Sequence, residues 1–191
     1  SWYDETAEKE AATKLISSDC VLISQHADSM GAPTACENAG VPNISYNGST
    51  QAACPNTFIV SSRIDWAPFY EYAIKATLNG QKIEADWVGT LATNSVALTA
   101  VNEQAAAKGT QEALDKVIAD LKAGNVHVFN TANFTVGGKK LDSYQADVDT
   151  DANYTPDTEV IKDGYFHESE YRSAPYFDLR IDGITTLNEM Y

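Results

Sequence analysis

Positive charge is scarce in this chain. Lys and Arg number 13 against 27 Asp and Glu, giving a formal net charge of -14 and a pI near 4.4. Nucleic acid is excluded as a partner, because phosphate binding rests on clustered Lys and Arg, and here the cations stand singly or in pairs. Docking on an anionic membrane surface is disfavoured for the same reason. No apolar run approaches a membrane span, and Ser1 opens the chain without a charged n-region and apolar h-region. The expectation is either a cytosolic protein or one whose export signal lies outside this chain.

Cysteine and histidine are equally sparse. Cys20, Cys36 and Cys54 are widely spaced and far from the histidines, so they form no metal-ligand pattern. Cys20 reads as a small core residue. Cys36 and Cys54 are left either as a disulfide in an oxidising compartment or as free thiols. There is no Gly-x-Ser-x-Gly elbow and no Gly-rich phosphate loop, and a nucleophilic triad could draw only on His26, His127 and His167. His127 falls in an alternating run and is expected to face solvent. His167, in His167-Glu168-Ser169-Glu170, lacks the second histidine of a zinc-protease helix and reads as a solvated polar turn. The run Asp147-Val148-Asp149-Thr150-Asp151 imitates the start of a calcium loop, but Ala152 stands where the sharp turn needs Gly and Thr158 where a bidentate Glu belongs. Neither a metal nor any other cofactor is expected. Asn-x-Ser/Thr triplets begin at Asn43, Asn47, Asn133 and Asn153, and such triplets are common by chance.

What the chain does have is a 43% hydrophobic content arranged in periodic segments, enough for one good core. Residues 4 to 17 read as an amphipathic helix capped by Asp4, with Ala7, Ala11, Leu15 and Ile16 on one face. A buried strand follows at 21 to 24, a helix from 29 to 39 stopped by Gly40, and a strand from 41 to 46 closed by Asn47-Gly48. A third strand is expected at 58 to 62, and a helix capped by Asp65 runs through Trp66, Tyr70, Ala73 and Leu78 to Gly80. Residues 83 to 91 read as another strand and 110 to 123 as the best helix, with Ala113, Val117, Ile118 and Leu121 on one stripe. An edge strand at 126 to 129 and a hairpin around Gly137-Gly138 come next. The acidic, aromatic tail from Tyr144 is expected to be packed. The β-α-β rhythm predicts an α/β fold with a parallel sheet.

The candidate site is Gln25-His26-Ala27-Asp28-Ser29, where an apolar strand hands over to a helix. Open α/β sheets gather polar groups and free helix N–H donors at such strand ends. Asp28 or Ser29 can also serve simply as a helix cap, with His26 packed beside it. Asn47 ends the next strand, and Asp65 with Trp66 starts the helix after the third. Three successive strand ends bearing His/Asp, Asn and Asp/Trp favour a ligand crevice for a small polar solute with a flat part, such as a nucleoside or sugar. Asp65 as a plain N-cap is the alternative.

Several segments carry a family resemblance that spans nearly the whole chain. Ser1-Trp2-Tyr3-Asp4, Glu8-Lys9-Glu10-Ala11-Ala12, Gln25 to Ser29, Ile44-Ser45-Tyr46-Asn47, Ser62 to Tyr70, Leu78-Asn79-Gly80, Val126-His127-Val128-Phe129 and Tyr176 to Ile184 together resemble the second half of the basic membrane protein family of substrate-binding lipoproteins, which includes purine nucleoside receptors. The resemblance implies a type I periplasmic-binding-protein-like fold: Rossmann-like three-layer α/β/α lobes, joined by a hinge, that close on a ligand delivered to an ABC permease. Members are lipid-anchored outside the cell membrane and are usually much longer, so this chain is expected to be a C-terminal portion. Residues 1–60 would then belong to the second ligand-binding lobe, and 61–191 to the hinge-crossing segments and C-terminal portion. Asn47 takes the place of the family's crevice aspartate, and Asp65 corresponds to the carboxylate that holds a ribose. Ala92 stands where the family has lysine, and His26 substitutes for a stacking aromatic absent near Ser24.

The expected function is therefore that of a non-enzymatic solute-binding component of an ABC importer. His26, Asp28, Ser29, Asn47 and Asp65 would bind the ligand through hydrogen bonds and Trp66 would supply an apolar wall. Its partners would be a small solute, a permease and the N-terminal part of the same protein. A ligand-sensing or regulatory domain on the same fold is the alternative, and a hydrolase using His26 and Asp28 lacks a nucleophile.

Overall fold

In a computed structural model, residues 2–168, 170–171 and 176–187 are described. Ser1, Ser169 of the His167-to-Glu170 motif and the end of the tail lie outside them. The chain forms two compact units, 1–123 and 124–191.

The first unit opens with helix α1 (Glu5–Ser17). Asp4 accepts a hydrogen bond from the Ala7 N–H at 3.0 Å, while Glu8, one residue beyond the usual capping-box position, reaches back to the Asp4 N–H at 2.7 Å. Strand β1 (Ile23–Ser24) follows, then helix α2 (Gly31–Ala39), which ends on Gly40 at φ 68, a left-handed conformation that glycine adopts without strain. Strand β2 (Asn43–Tyr46) pairs in parallel with β1 and with β3 (Phe58–Ile64). Helix α3 (Ala67–Leu78) leads to β4 (Val96–Leu98), and helix α4 (Thr110–Lys122) closes the unit. The sheet order is β1-β2-β3-β4.

Helices α1 and α2 pack on each other and on β1, burying Ala12, Ile23, Ala32, Ala35 and Cys36, with Leu15, Ile16, Cys20 and Val41 at the margin. Small residues dominate because the helices approach closely. A Cβ on Gly31 would stand 2.2 Å from Glu5 O, so only glycine fits that crossing. The C-terminal end of α2 is tied to the turn before β3 by Glu37, which accepts from Asn56 N and from Thr57 Oγ1 at 2.8 Å. Cys36 and Cys54 are both fully buried, and both are free thiols.

In the first unit three expectations need correction. Only Ile23–Ser24 of the first apolar run forms a strand, since Val21 is 81% exposed and sits outside the ladder. No strand forms at 83–91, where Asp86 and Gly89 interrupt the apolar residues. The fourth strand lies instead at Val96–Leu98 and runs antiparallel to β3, so the sheet is mixed rather than wholly parallel. The stripe on α4 is present, but that helix buries no residue.

The second unit is built from short antiparallel pairs, β5 (Gln145–Ala146) with β6 (Thr158–Glu159) and β7 (Ile161–Lys162) with β8 (Tyr165–Phe166). Around them Ala146, Val160, Ile161, Phe166 and Tyr176 form a core edged by Phe129, Tyr144, Tyr171 and Phe177, so the aromatic tail is packed as expected. No strand forms at 126–129; the following Asn130 makes a single bridge to Tyr165, and the Gly137-Gly138 turn is closed by the Val136–Lys139 bridge. His167 is not solvated: its side chain is 14% exposed, stacks on Tyr165 and lies 2.6 Å from Glu170. His127 is exposed, yet stacks on the other face of Tyr165 at 3.6 Å.

Candidate ligand site

Parallel pairing sets the carboxyl ends of β1, β2 and β3 side by side, which places His26, Asn47 and Asp65 along one edge of the sheet. His26 is exposed, and its ring stacks on Tyr46 with centroids 4.2 Å apart and planes 14° from parallel. Trp2 leans over the same imidazole at 6.1 Å. It is fastened there through its carbonyl, which accepts the Asp28 N–H at 3.1 Å. Three rings from α1's leader, β1 and β2 thus form a continuous, largely exposed aromatic wall. Sequence reasoning missed Trp2 and Tyr46; the signal that could have found Tyr46 was its place beside Asn47 at a parallel strand end.

The Asp28 carboxylate is exposed. Ser29 does not cap α2, whose N-cap is Met30 without a side-chain cap bond. Ser29 is buried at 1% exposure, and its Oγ accepts the Gly31 N–H at 3.1 Å at the start of α2 and donates to Glu8. Ser29 therefore joins α1 to the start of α2.

Asn47 is exposed at φ 64, and its N–H donates to Ser62 O at 2.7 Å, carrying the chain sharply away from β2. Asp65 is more engaged. One oxygen accepts the Ala67 N–H at 3.0 Å just ahead of α3, whose N-cap is Trp66 rather than Asp65, and the other lies 3.3 Å from Arg63 Nη1. The Asp65 N–H donates to Ser95 O, tying this strand end to the start of β4. Trp66 is 58% exposed and packs edge-on against Phe69 rather than against His26.

Ala92 sits in the turn 90–95. That turn is closed by Thr90 and Thr93: the Thr90 N–H donates to Thr93 Oγ1 at 2.8 Å, and Thr93 Oγ1 donates to Thr90 O at 3.0 Å. A separate open concavity of about 680 Å³ runs along α1 between Glu5 and Lys14, but residues of one helix alone line it, so it encloses nothing. No group of three or more His, Cys, Asp or Glu among the described residues could hold a metal ion.

An α/β sheet whose parallel strands deliver aromatic, amide and carboxylate groups to one edge is the architecture of a periplasmic-type solute-binding lobe. The chain belongs to the Bmp family, ABC transporter substrate-binding protein PnrA-like, whose sequence profile matches residues 1–125. Over 90 residues it is 31% identical to a Haloferax volcanii protein provisionally named as an ABC transporter glucose-binding protein, covering 47% of this chain and 23% of that one. Over a stretch of the same length it is 30% identical to a purine-binding protein of Brucella abortus, covering 47% of this chain and 26% of the relative. The match thus spans about a quarter of the length of these curated relatives. An ABC transporter solute-binding protein of Conexibacter woesei shares the fold, with a TM-score of 0.55 at 22% identity over 66% of this chain and 43% of that one. The family is a family of extracytoplasmic transport proteins, not of enzymes. No helix among the described residues is long and apolar enough to cross a membrane.

Proposed function

We propose that this chain forms one wall of a solute site in an extracytoplasmic, lipid-anchored binding protein, and that the loaded protein delivers its solute to an ABC permease. The observation that carries this is the Trp2–His26–Tyr46 wall on the sheet edge, flanked by Asn47 and Asp65. Stacked rings favour a ligand with a flat apolar face, and the amide and carboxylate beside them suit hydroxyl or amino groups. A nucleoside or a small sugar has both, in keeping with the purine-binding and glucose-binding names of the relatives. Residues 1–60 would belong to the second ligand-binding lobe and 61–191 to hinge-crossing and C-terminal segments, with the opposite wall supplied by the N-terminal part of the protein. Hinge closure would trap the solute between the two walls. Binding without turnover is the proposed activity, in keeping with a family of transport proteins.

Isothermal titration with adenosine, guanosine, adenine and glucose tests the proposal. Binding of at least one, weakened about tenfold or more in His26→Ala by loss of a stacked partner, is the expected result. A correctly folded protein that binds none of them contradicts it.

A further inference from the structure

Among the described residues two buried side-chain polar atoms have no hydrogen-bond partner, Gln25 Oε1 and Ser95 Oγ. Both belong to the edge that carries the candidate site. Gln25 directly follows β1 and donates its backbone N–H to Ile44 O at 3.1 Å, whereas Ser95 directly precedes β4 and accepts the Asp65 N–H at 2.8 Å. Buried polar atoms in folded proteins are nearly always paired, and an orphaned acceptor is a standing cost to the fold. Of the two, only the acceptor at Gln25, beside His26, belongs to a residue that a partner from outside the chain could reach.

Ser95 is closed over, at 3% exposure and with its Cβ only 2.5 Å from where a Cβ on Gly89 would stand. Gln25 is partly exposed and adjoins His26. Its Nε2 donates to Ser29 O, so a flipped amide would set two acceptors against each other. At 3.4 Å that bond is near the limit for a hydrogen bond and holds the carboxamide weakly. Ser29 Oγ donates to Glu8 and the other Glu8 oxygen takes the Asp4 N–H, so neither of these groups offers Oε1 a donor. The terminal torsion of glutamine is soft, so the carboxamide can give up the long bond to Ser29 and reorient at little cost.

We propose that Gln25 is a specificity-determining residue of the solute site: its carboxamide oxygen accepts a hydrogen bond from an N–H or O–H donor of the bound solute. The inference rests on the ligand site proposed above. A solute without a donor at that point leaves the acceptor orphaned and is rejected, the way a site built around a hydrogen bond discriminates against an analogue that lacks the group.

Two substitutions test it in the full chain. Gln25→Met keeps the length of the side chain and removes the acceptor, and Gln25→Glu keeps an acceptor oxygen. For whichever of adenosine, guanosine, adenine and glucose the wild type binds, Gln25→Met should weaken binding about tenfold or more, with a melting temperature equal to or above that of the wild type. Gln25→Glu keeps the acceptor but sets its second oxygen against Ser29 O, so it should bind more tightly than Gln25→Met while melting below the wild type. Wild-type affinity in Gln25→Met, or a lowered melting temperature in that variant, overturns the role of Gln25 while leaving the site in place. A wild type that binds none of the four, or a His26→Ala variant with unchanged affinity, overturns the site and this inference with it.

Discussion

At Asp65 both carboxylate oxygens are occupied in the free protein, one by the Ala67 N–H and one by Arg63, so a solute hydroxyl must displace the guanidinium to reach it. The ion pair is partly exposed and contributes little to stability. Asp65→Asn should therefore change unfolding free energy by no more than about 1 kcal/mol in a urea titration while weakening solute binding; a large loss of stability with unchanged binding would give Asp65 a structural role alone. The thiols give a second test at this scale. Burial, followed by the neighbouring Cys54, pushes the Cys36 thiol up to about 11, and both sulfurs are sealed from solvent. Cys20 is only partly buried. A thiol reagent at pH 8 should modify Cys20 alone in the native chain and all three cysteines in denaturant. Rapid native modification of Cys36 would contradict the packing described for α2.

Packing between elements is most demanding where α1 crosses α2. Gly31→Ala forces a Cβ onto the α1 backbone, 2.2 Å from Glu5 O, and should cost about 1–3 kcal/mol by denaturant unfolding. An unchanged midpoint would show that the helices separate easily. In the second unit Asp182 fastens the tail to the Gly137-Gly138 turn, accepting from Thr135 Oγ1, Gly138 N and Gly137 N. The Thr135 hydroxyl and then the Gly138 N–H hold this carboxyl below the usual aspartate range. A depressed folded-state pKa stabilises above the ordinary value and is lost as pH falls through the folded one. Amide exchange at Gly138 should thus gain extra protection above about pH 4 and lose it on acidification. Asp182→Asn should abolish that pH step; a step that persists in Asp182→Asn would assign it to another group.

The elements themselves were legible where punctuation was strong. Asp4, Gly40, Asn47-Gly48 and Gly80 each mark a boundary through a specific cap or positive φ, and the helices and turns they bound are found there. The strand at Val96–Leu98 was not legible, because a three-residue segment with half-exposed side chains carries no periodicity of its own and exists through pairing with β3. In the candidate site the strand-end residues could be read from order alone. The ring contacts could not, since the meeting of Trp2, His26 and Tyr46 depends on how α1 approaches the sheet. His167 was misread for a similar reason: its environment is made by Tyr165 and Glu170 in three dimensions rather than by the polar run around it.

For the whole molecule, a net charge of -14 means that compaction works against self-repulsion. Added salt screens that repulsion, with a Debye length falling from about 10 Å at 0.1 M to about 3 Å at 1 M. The urea midpoint should accordingly rise between 0.1 and 1 M sodium chloride; a fall would mean that favourable ion pairs outweigh repulsion. The central claim is more local, that the carboxyl edge of β1, β2 and β3 is where this Bmp-family chain takes its solute. Backbone amide shift mapping in NMR, with adenosine or glucose added to saturation, tests this most directly and detects even weak binding to one wall. Shifts concentrated at Trp2, His26, Tyr46, Asn47 and Asp65 are predicted. Shifts confined to the outer face of α1, or none at saturating concentrations of either solute, would contradict the account.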